Sequence, residues 1–135
     1  MSNNFQKNNY VADTMAIVLR LERRKLSTAA KLVFELAEQG QATIYIPSLV
    51  FVEILYLSEK RRIECNLDII KAYSIKFPNV KEQFLDFTII KATEKIKDIP
   101  ELHDRIIAGT ALALDMPLIT NDPIITVSQF VKVIW

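Results

Sequence analysis

The sequence predicts an α/β fold, a mostly parallel sheet with helices on both faces, and three observations predict it. Short β-branched or apolar runs alternate with helix-length amphipathic patterns about five times along the chain. Half of the residues are hydrophobic and 24% are charged, the balance of a chain that builds a packed core. With 135 residues, no internal repeat, no low-complexity tract and no linker, one domain is expected. Its expected span is residues 10–135, after a polar, flexible lead-in over residues 1–9, MSNNFQKNN.

YVAD, residues 10–13, reads as a buried strand closing on an acid, and TMAIVLRLERRK, residues 14–25, as the helix after it. Ser27 or Thr28 caps a second helix whose apolar positions Leu32, Val33, Leu36 and Ala37 repeat at helical spacing. Gly40 stands where a terminating glycine is expected. ATIYIP, residues 42–47, is the second strand, and Ser48 is expected to cap the helix LVFVEILYLSEKRRI. NLDIIKAYSIKF reads as a helix ending before Pro78. EQFLDFTI, residues 82–89, is a strand candidate, followed by a short helix, IKATEKIKDI, that Pro100 stops. ELHDRIIAGTALALD is the strongest helix, and Gly109 inside it points to a close backbone approach, because a mid-helix glycine costs about 1 kcal/mol against alanine. PLIT, residues 117–120, and FVKVIW, residues 130–135, complete the strands.

The first residues lack the apolar region of a signal peptide, and no run is long enough to span a bilayer. One cysteine, Cys65, excludes an internal disulfide framework and a cysteine-based zinc site. A soluble protein of the cytoplasm, with no membrane contact, is expected. The net charge of +1 makes no broad lure for nucleic acid, although RLERRK (residues 20–25) and EKRR (residues 59–62) are locally basic.

In open parallel sheets, sites form outside the carboxyl ends of the strands. Asp13 ends the first strand, and Asp122 follows the PLIT strand by two residues. Glu53 sits inside the otherwise apolar SLVFVEILYL, and Asp104 lies in the first turn of the helix leading to PLIT. Taken singly, Asp104 is explained by the helix dipole and Asp122 by a turn. Glu53, with only apolar near neighbours, is not explained so simply. Two such charges about 4 Å apart repel by roughly 4 kcal/mol at an effective dielectric of 20, so four that converge need a cation. Oxygen ligands suit Mg²⁺ or Mn²⁺. The lone His103 is too little for zinc and reads as a surface residue.

The stretches YVADTMAIVLRL, IPSLVFVEILYL and IPELHDRIIAGTALALDMPLITND, in this order, resemble the PIN domain, a family of nucleases that includes the VapC-type toxins of toxin–antitoxin pairs. The resemblance covers about residues 10–135, and its most specific part is the last: an Asp-Arg pair, small residues, a proline, then LIT-x-D. It implies a three-layer α/β/α sandwich and a Mg²⁺- or Mn²⁺-dependent ribonuclease site. Residue by residue, Asp13, Glu53, Asp104 and Asp122 match the four acids, which are thus the implied catalytic residues and metal ligands. Thr120 matches a hydroxyl residue that helps orient the attacking water, and Thr14 the small polar residue after the first acid. Met15 departs from the Asn, Ser or His of many members, and Asn121 replaces a frequent basic or polar residue.

The implied reaction is hydrolysis of RNA phosphodiesters to 5′-phosphate and 3′-hydroxyl ends. The implied partners are an RNA substrate, a small antitoxin clamped on the helices lined by Leu26 to Leu36 and Leu49 to Ile63, with their apolar residues and the basic patches RLERRK and EKRR as the expected contact, and a second copy in a homodimer. The rival reading, a PIN-like module that binds RNA or protein without cutting, draws on the near-neutral charge and on Met15. A receiver-type phosphoacceptor requires paired acids after the first strand, where Asp13 stands alone.

Overall fold

The structure, a computed structural model, describes residues 8–135. Five short strands form one sheet, all of whose pairings are parallel: β1 (Asn9–Ala12), β2 (Thr43–Pro47), β3 (Val80–Gln83), β4 (Leu118–Ile119) and β5 (Val133–Ile134). Their order is β3-β2-β1-β4-β5. The chain thus builds outward from β1 to one side, then returns to β1 and builds to the other. Val11, Ala12, Ile44, Ile46, Leu118 and Ile119 are fully buried, as expected where helices cover both faces of a parallel sheet.

Seven helices connect and flank the strands among the described residues: α1 (Thr14–Leu21), α2 (Thr28–Glu38), α3 (Ser48–Glu59), α4 (Leu67–Lys76), α5 (Phe87–Lys95), α6 (Leu102–Leu114) and the one-turn α7 (Pro123–Thr126). The result is the α/β/α layering that the resemblance implied. Side chains fix most helix starts by accepting a free backbone N–H. Ser27 receives that of Ala30 at 3.1 Å, Asn66 that of Ile69 at 2.9 Å, and Asp86 that of Ile89 at 2.9 Å. Gly40, at φ 78°, follows α2 in the left-handed region that ends a helix.

Gly109 meets the expectation of a close approach. A Cβ there would stand 2.0 Å from Thr93 Oγ1 and 2.9 Å from Thr93 Cα, so α5 and α6 touch through a position that only glycine fits. No described helix is long and apolar enough to cross a membrane.

Several expectations are corrected. Asn9 already belongs to β1, and residues 1–7 of the proposed lead-in lie outside the described residues. The first helix stops at Leu21, where Arg23 turns to φ 56°, instead of running to Lys25. Ser48 does not cap α3. It is the first helical residue, Pro47 holds the cap position without a side-chain bond, and the Ser48 hydroxyl points to Glu82 and the carbonyl of Gln83. The strand proposed at residues 82–89 is β3 at Val80–Gln83, followed by a loop and then by α5 from Phe87. The Asp86 cap starts a helix inside a run that reads as β-forming by residue type, so capping overrides propensity there. α7 was not anticipated from the sequence.

Candidate active site

The two halves of the sheet diverge between β1 and β4, the switch point at which a crevice opens beyond the strand ends. Asp13 follows β1 and Thr120 follows β4, on adjacent strands, so the register of Ala12 against Ile119 sets them side by side. Both Asp13 oxygens are committed. Oδ1 accepts the N–H of Ala16 at 2.8 Å, capping α1, and Oδ2 accepts the buried hydroxyl of Thr120. The same Thr120 oxygen accepts the N–H of Asp122 at 3.0 Å. Thr120, 0% exposed, therefore ties the first acid to the loop that carries the last.

Glu53 projects from α3 and accepts the hydroxyl of Thr14, the first residue of α1. Asp104 lies in the first turn of α6, which Glu101 caps by accepting the Asp104 N–H at 2.8 Å. Asp122 caps α7, accepting the N–H groups of Ile124 at 2.9 Å and Ile125 at 3.1 Å.

The four acids are close enough to act on one another. Burial pushes the carboxyl of Asp13 up to about 6, with the charges of Asp122 and Asp104 adding to the rise and the bonds from Thr120 and Ala16 opposing it. Burial likewise pushes Asp104 up to about 6, assisted by Asp122, Glu101 and Glu53 and opposed by His103. The crevice thus gathers carboxylates that resist ionising together. Among the described residues no three acid, histidine or cysteine side chains stand tightly enough to hold a metal ion as they are. The donor set still fits a hard divalent ion, being oxygen only and short of positive charge.

The residues predicted as a site divide cleanly. Asp13, Glu53, Asp104, Asp122 and Thr120 come to one sheet edge from four separate places in the chain. His103 stays exposed, its Nδ1 2.9 Å from Glu101. Met15 and Asn121 are exposed beside the crevice in sequence. Sequence reasoning missed one contact and one residue. Thr14 holds Glu53, a contact across 39 positions that no local pattern reveals. Glu101 both caps α6 and adds charge next to Asp104, and its place just before a helix was the available signal.

An α/β/α protein with an acid crevice at the switch point of its sheet is the class that fold and site define. The chain belongs to the PIN domain family, whose family model matches residues 10–127. Similar solved structures include VapBC2 from Rickettsia felis bound to a DNA fragment from their promoter, at 18% identity and a TM-score of 0.70, covering 94% of this chain and 98% of that one. DNA-bound VapBC from Salmonella typhimurium is similar at 15% identity and 0.70, covering 93% and 96%. FitAcB from Neisseria gonorrhoeae is similar at 14% and 0.65, with the same coverage. Comparison with curated proteins finds no match.

Proposed function

We propose that the chain is a divalent-metal-dependent endoribonuclease and the toxin of a toxin–antitoxin pair. One observation carries the catalytic reading: acids from four separate elements meet at the sheet's switch point, where burial and mutual charge raise Asp13 and Asp104 to about 6. Asp13, Glu53, Asp104 and Asp122 are the residues to hold Mg²⁺ or Mn²⁺. When bound, such an ion lowers the pKa of water and neutralises charge on a reacting phosphate. Thr120 fixes the Asp13 carboxylate and Thr14 fixes that of Glu53, so both are oriented before substrate arrives. In the hydrolysis a water oxygen bonds to phosphorus and the P–O3′ bond breaks, leaving 5′-phosphate and 3′-hydroxyl ends.

The toxin reading draws on the likeness to VapBC assemblies. Within it, residues 10–135 act as one domain, in the cytoplasm, and the antitoxin covers apolar side chains of α2 and α3. Leu32, Val52, Leu55 and Tyr56 are the exposed ones there, whereas Leu26, Leu36, Leu49 and Ile63 already pack against the core. A homodimer belongs to the same reading, and light scattering tests it.

The second reading is a PIN-like module that binds without cutting. It is favoured by the lack of any three chelating side chains already drawn together among the described residues. An RNA-cleavage assay with Mn²⁺, with and without EDTA, separates the two. Metal-dependent cleavage that disappears in Asp13→Asn and Asp104→Asn supports the nuclease. Full activity in either purified variant sinks the assignment of these acids.

A further inference from the structure

Asp13 caps the start of α1, Glu53 lies midway along α3, and arginines follow the ends of both helices. Each ends in the same turn. After α1, the N–H of Arg24 bonds to the carbonyl of Leu19 at 2.8 Å, with Arg23 at φ 56°. After α3, the N–H of Arg62 bonds to the carbonyl of Leu57 at 3.0 Å, with Arg61 at φ 55°. α2 closes the same turn with Gly40, the residue this left-handed conformation favours. The two arginines thus occupy positions where the backbone alone prefers glycine or asparagine.

Glu22 locks the two ends together, its carboxylate accepting the N–H groups of Glu64 at 2.7 Å and Cys65 at 2.9 Å. Beside this clamp lies a cleft of about 660 Å³ lined by Arg23, Arg24, Lys25, Lys31 and Lys76. An adjoining hollow that shares Arg24 adds Arg61 and Arg62, together with Glu22 and Glu64. Arg20 is neutralised by Glu38, and Arg24 reaches Glu22 at 3.2 Å. Arg23, Lys25, Lys31, Lys76, Arg61 and Arg62 are exposed, and none has a carboxylate in ion-pair reach among the described residues. On a chain of net charge +1, this is a local concentration of free cations.

We propose that this cleft is a second contact for RNA, an exosite that grips the phosphate backbone away from the acid crevice. The proposal rests on the ribonuclease reading. The chemistry of the lining favours a nucleic acid over an acidic protein. Protein interfaces are anchored by buried aromatic and apolar side chains, and the apolar residues here, Leu21, Leu26 and Phe77, are partly buried against the core. Apart from these and the Glu38, Arg20 and Tyr73 side chains that bond one another, the cleft offers arginine and lysine, the groups that contact phosphates without reading bases. At 1.5 Å rise per residue, Arg61 lies about 12 Å along the helix direction from Glu53, and Arg23 about 15 Å from Asp13. A stacked strand at roughly 3.4 Å per step needs about four to five steps, and so about five to six nucleotides, to cover that distance. A tetranucleotide bound at the acids therefore falls short of the cleft, and a 30-nucleotide RNA reaches it.

The test uses Arg23→Gly combined with Arg61→Gly, which removes two charges while giving the backbone the residue it prefers. Binding of a labelled 30-nucleotide RNA is followed by anisotropy in an Asp104→Asn background with EDTA, over a series of KCl concentrations. The expected result is a roughly tenfold rise in Kd and a fall of about 1.4 in the slope of log K against log salt, two phosphates at about 0.7 each. In the otherwise intact chain with Mn²⁺, KM for the 30-mer rises while kcat and tetranucleotide cleavage are unchanged. The melting temperature is unchanged or higher, which separates lost charge from lost structure. Should that pair fold poorly, Lys31→Gln with Lys76→Gln, both on exposed helix surface, gives the same readout. Unchanged Kd and salt slope in folded variants overturn the proposal. So does polyglutamate that binds as tightly as RNA and is lost in the same variants, which assigns the cleft to an acidic protein. An intact chain that cleaves neither RNA ends the ribonuclease reading alone, because the binding arm needs no cleavage.

Discussion

Two sets of shielded carboxylates sit on this fold, and they are held in opposite ways. At the switch point, Asp13 and Asp104 are pushed up to about 6 by burial and by other acids. Near the far end of α1, Glu38 is also partly buried, and burial also acts to raise it. There the Arg20 guanidinium grips both its oxygens, at 2.9 and 2.7 Å, and the Tyr73 hydroxyl donates at 2.5 Å. Together they outweigh burial and hold Glu38 below its ordinary value. The Glu38 knot contains its own counter-charge, whereas the crevice does not. In the proposed reading, the acids that the chain leaves uncompensated take their counter-charge from a bound ion, whereas Glu38 needs none.

The largest expected effect follows directly. Asp104→Asn lowers RNA cleavage by at least about 10³-fold, on the order of 4 kcal/mol of transition-state stabilisation, with an unchanged or raised melting temperature. A large loss of stability in this variant would break the contrast. Gly109→Ala comes next. Its new Cβ must displace the backbone of Thr93, so overpacking of about 1–3 kcal/mol exceeds the roughly 1 kcal/mol gained in helix propensity. Because α6 carries Asp104, cleavage falls together with the urea midpoint, unlike Asp104→Asn, in which the two separate. Glu38→Gln loses about 1–2 kcal/mol in urea unfolding, since Arg20 and Tyr73 lose a charged acceptor while remaining partly solvated, and cleavage of a tetranucleotide is retained.

The same contrast explains what was legible in the sequence. An acid closing an apolar run exposed Asp13, and an acid in an apolar helix exposed Glu53, because each violates the local rule for its position, whereas Asp104 and Asp122 stood out only through their place in the ordered motifs. The strand ends and Gly109 were readable for the same reason. The Thr14–Glu53 contact and the Arg20–Glu38–Tyr73 knot were not, since threonine beside a helix start and charges on helix surfaces break no local rule. Their roles arise from contacts across 39, 18 and 35 positions. The misplaced third strand has a related cause. Phe84, Leu85 and Phe87 are exposed at 69, 41 and 76%, so an apolar run that reads as buried strand faces outward instead.

The most direct comparison of the two regions is the pH dependence of stability with metal chelated by EDTA. Asp13 and Asp104 rise from an ordinary 3.8 to about 6 on folding, so between those values the native state binds more protons than the unfolded chain. Stability then falls as pH climbs through that window. Glu38 has the opposite sign. Its folded value lies below the ordinary 4.5, so its contribution is present above 4.5 and is lost as pH drops through the folded value. Urea midpoints of the chelated protein should therefore decline between about pH 4 and 6, a range in which ordinary carboxylate pairing makes proteins firmer. Asp13→Asn with Asp104→Asn flattens that decline, and Glu38→Gln leaves it in place while shrinking the loss at lower pH. Mg²⁺ in place of EDTA should lift the midpoint more at pH 7 than at pH 4.5, since only ionised carboxylates ligate. A midpoint that rises steadily from pH 4 to 6 in the chelated protein would show that the crevice acids are satisfied by the chain itself, and the distinction between the two regions would be lost.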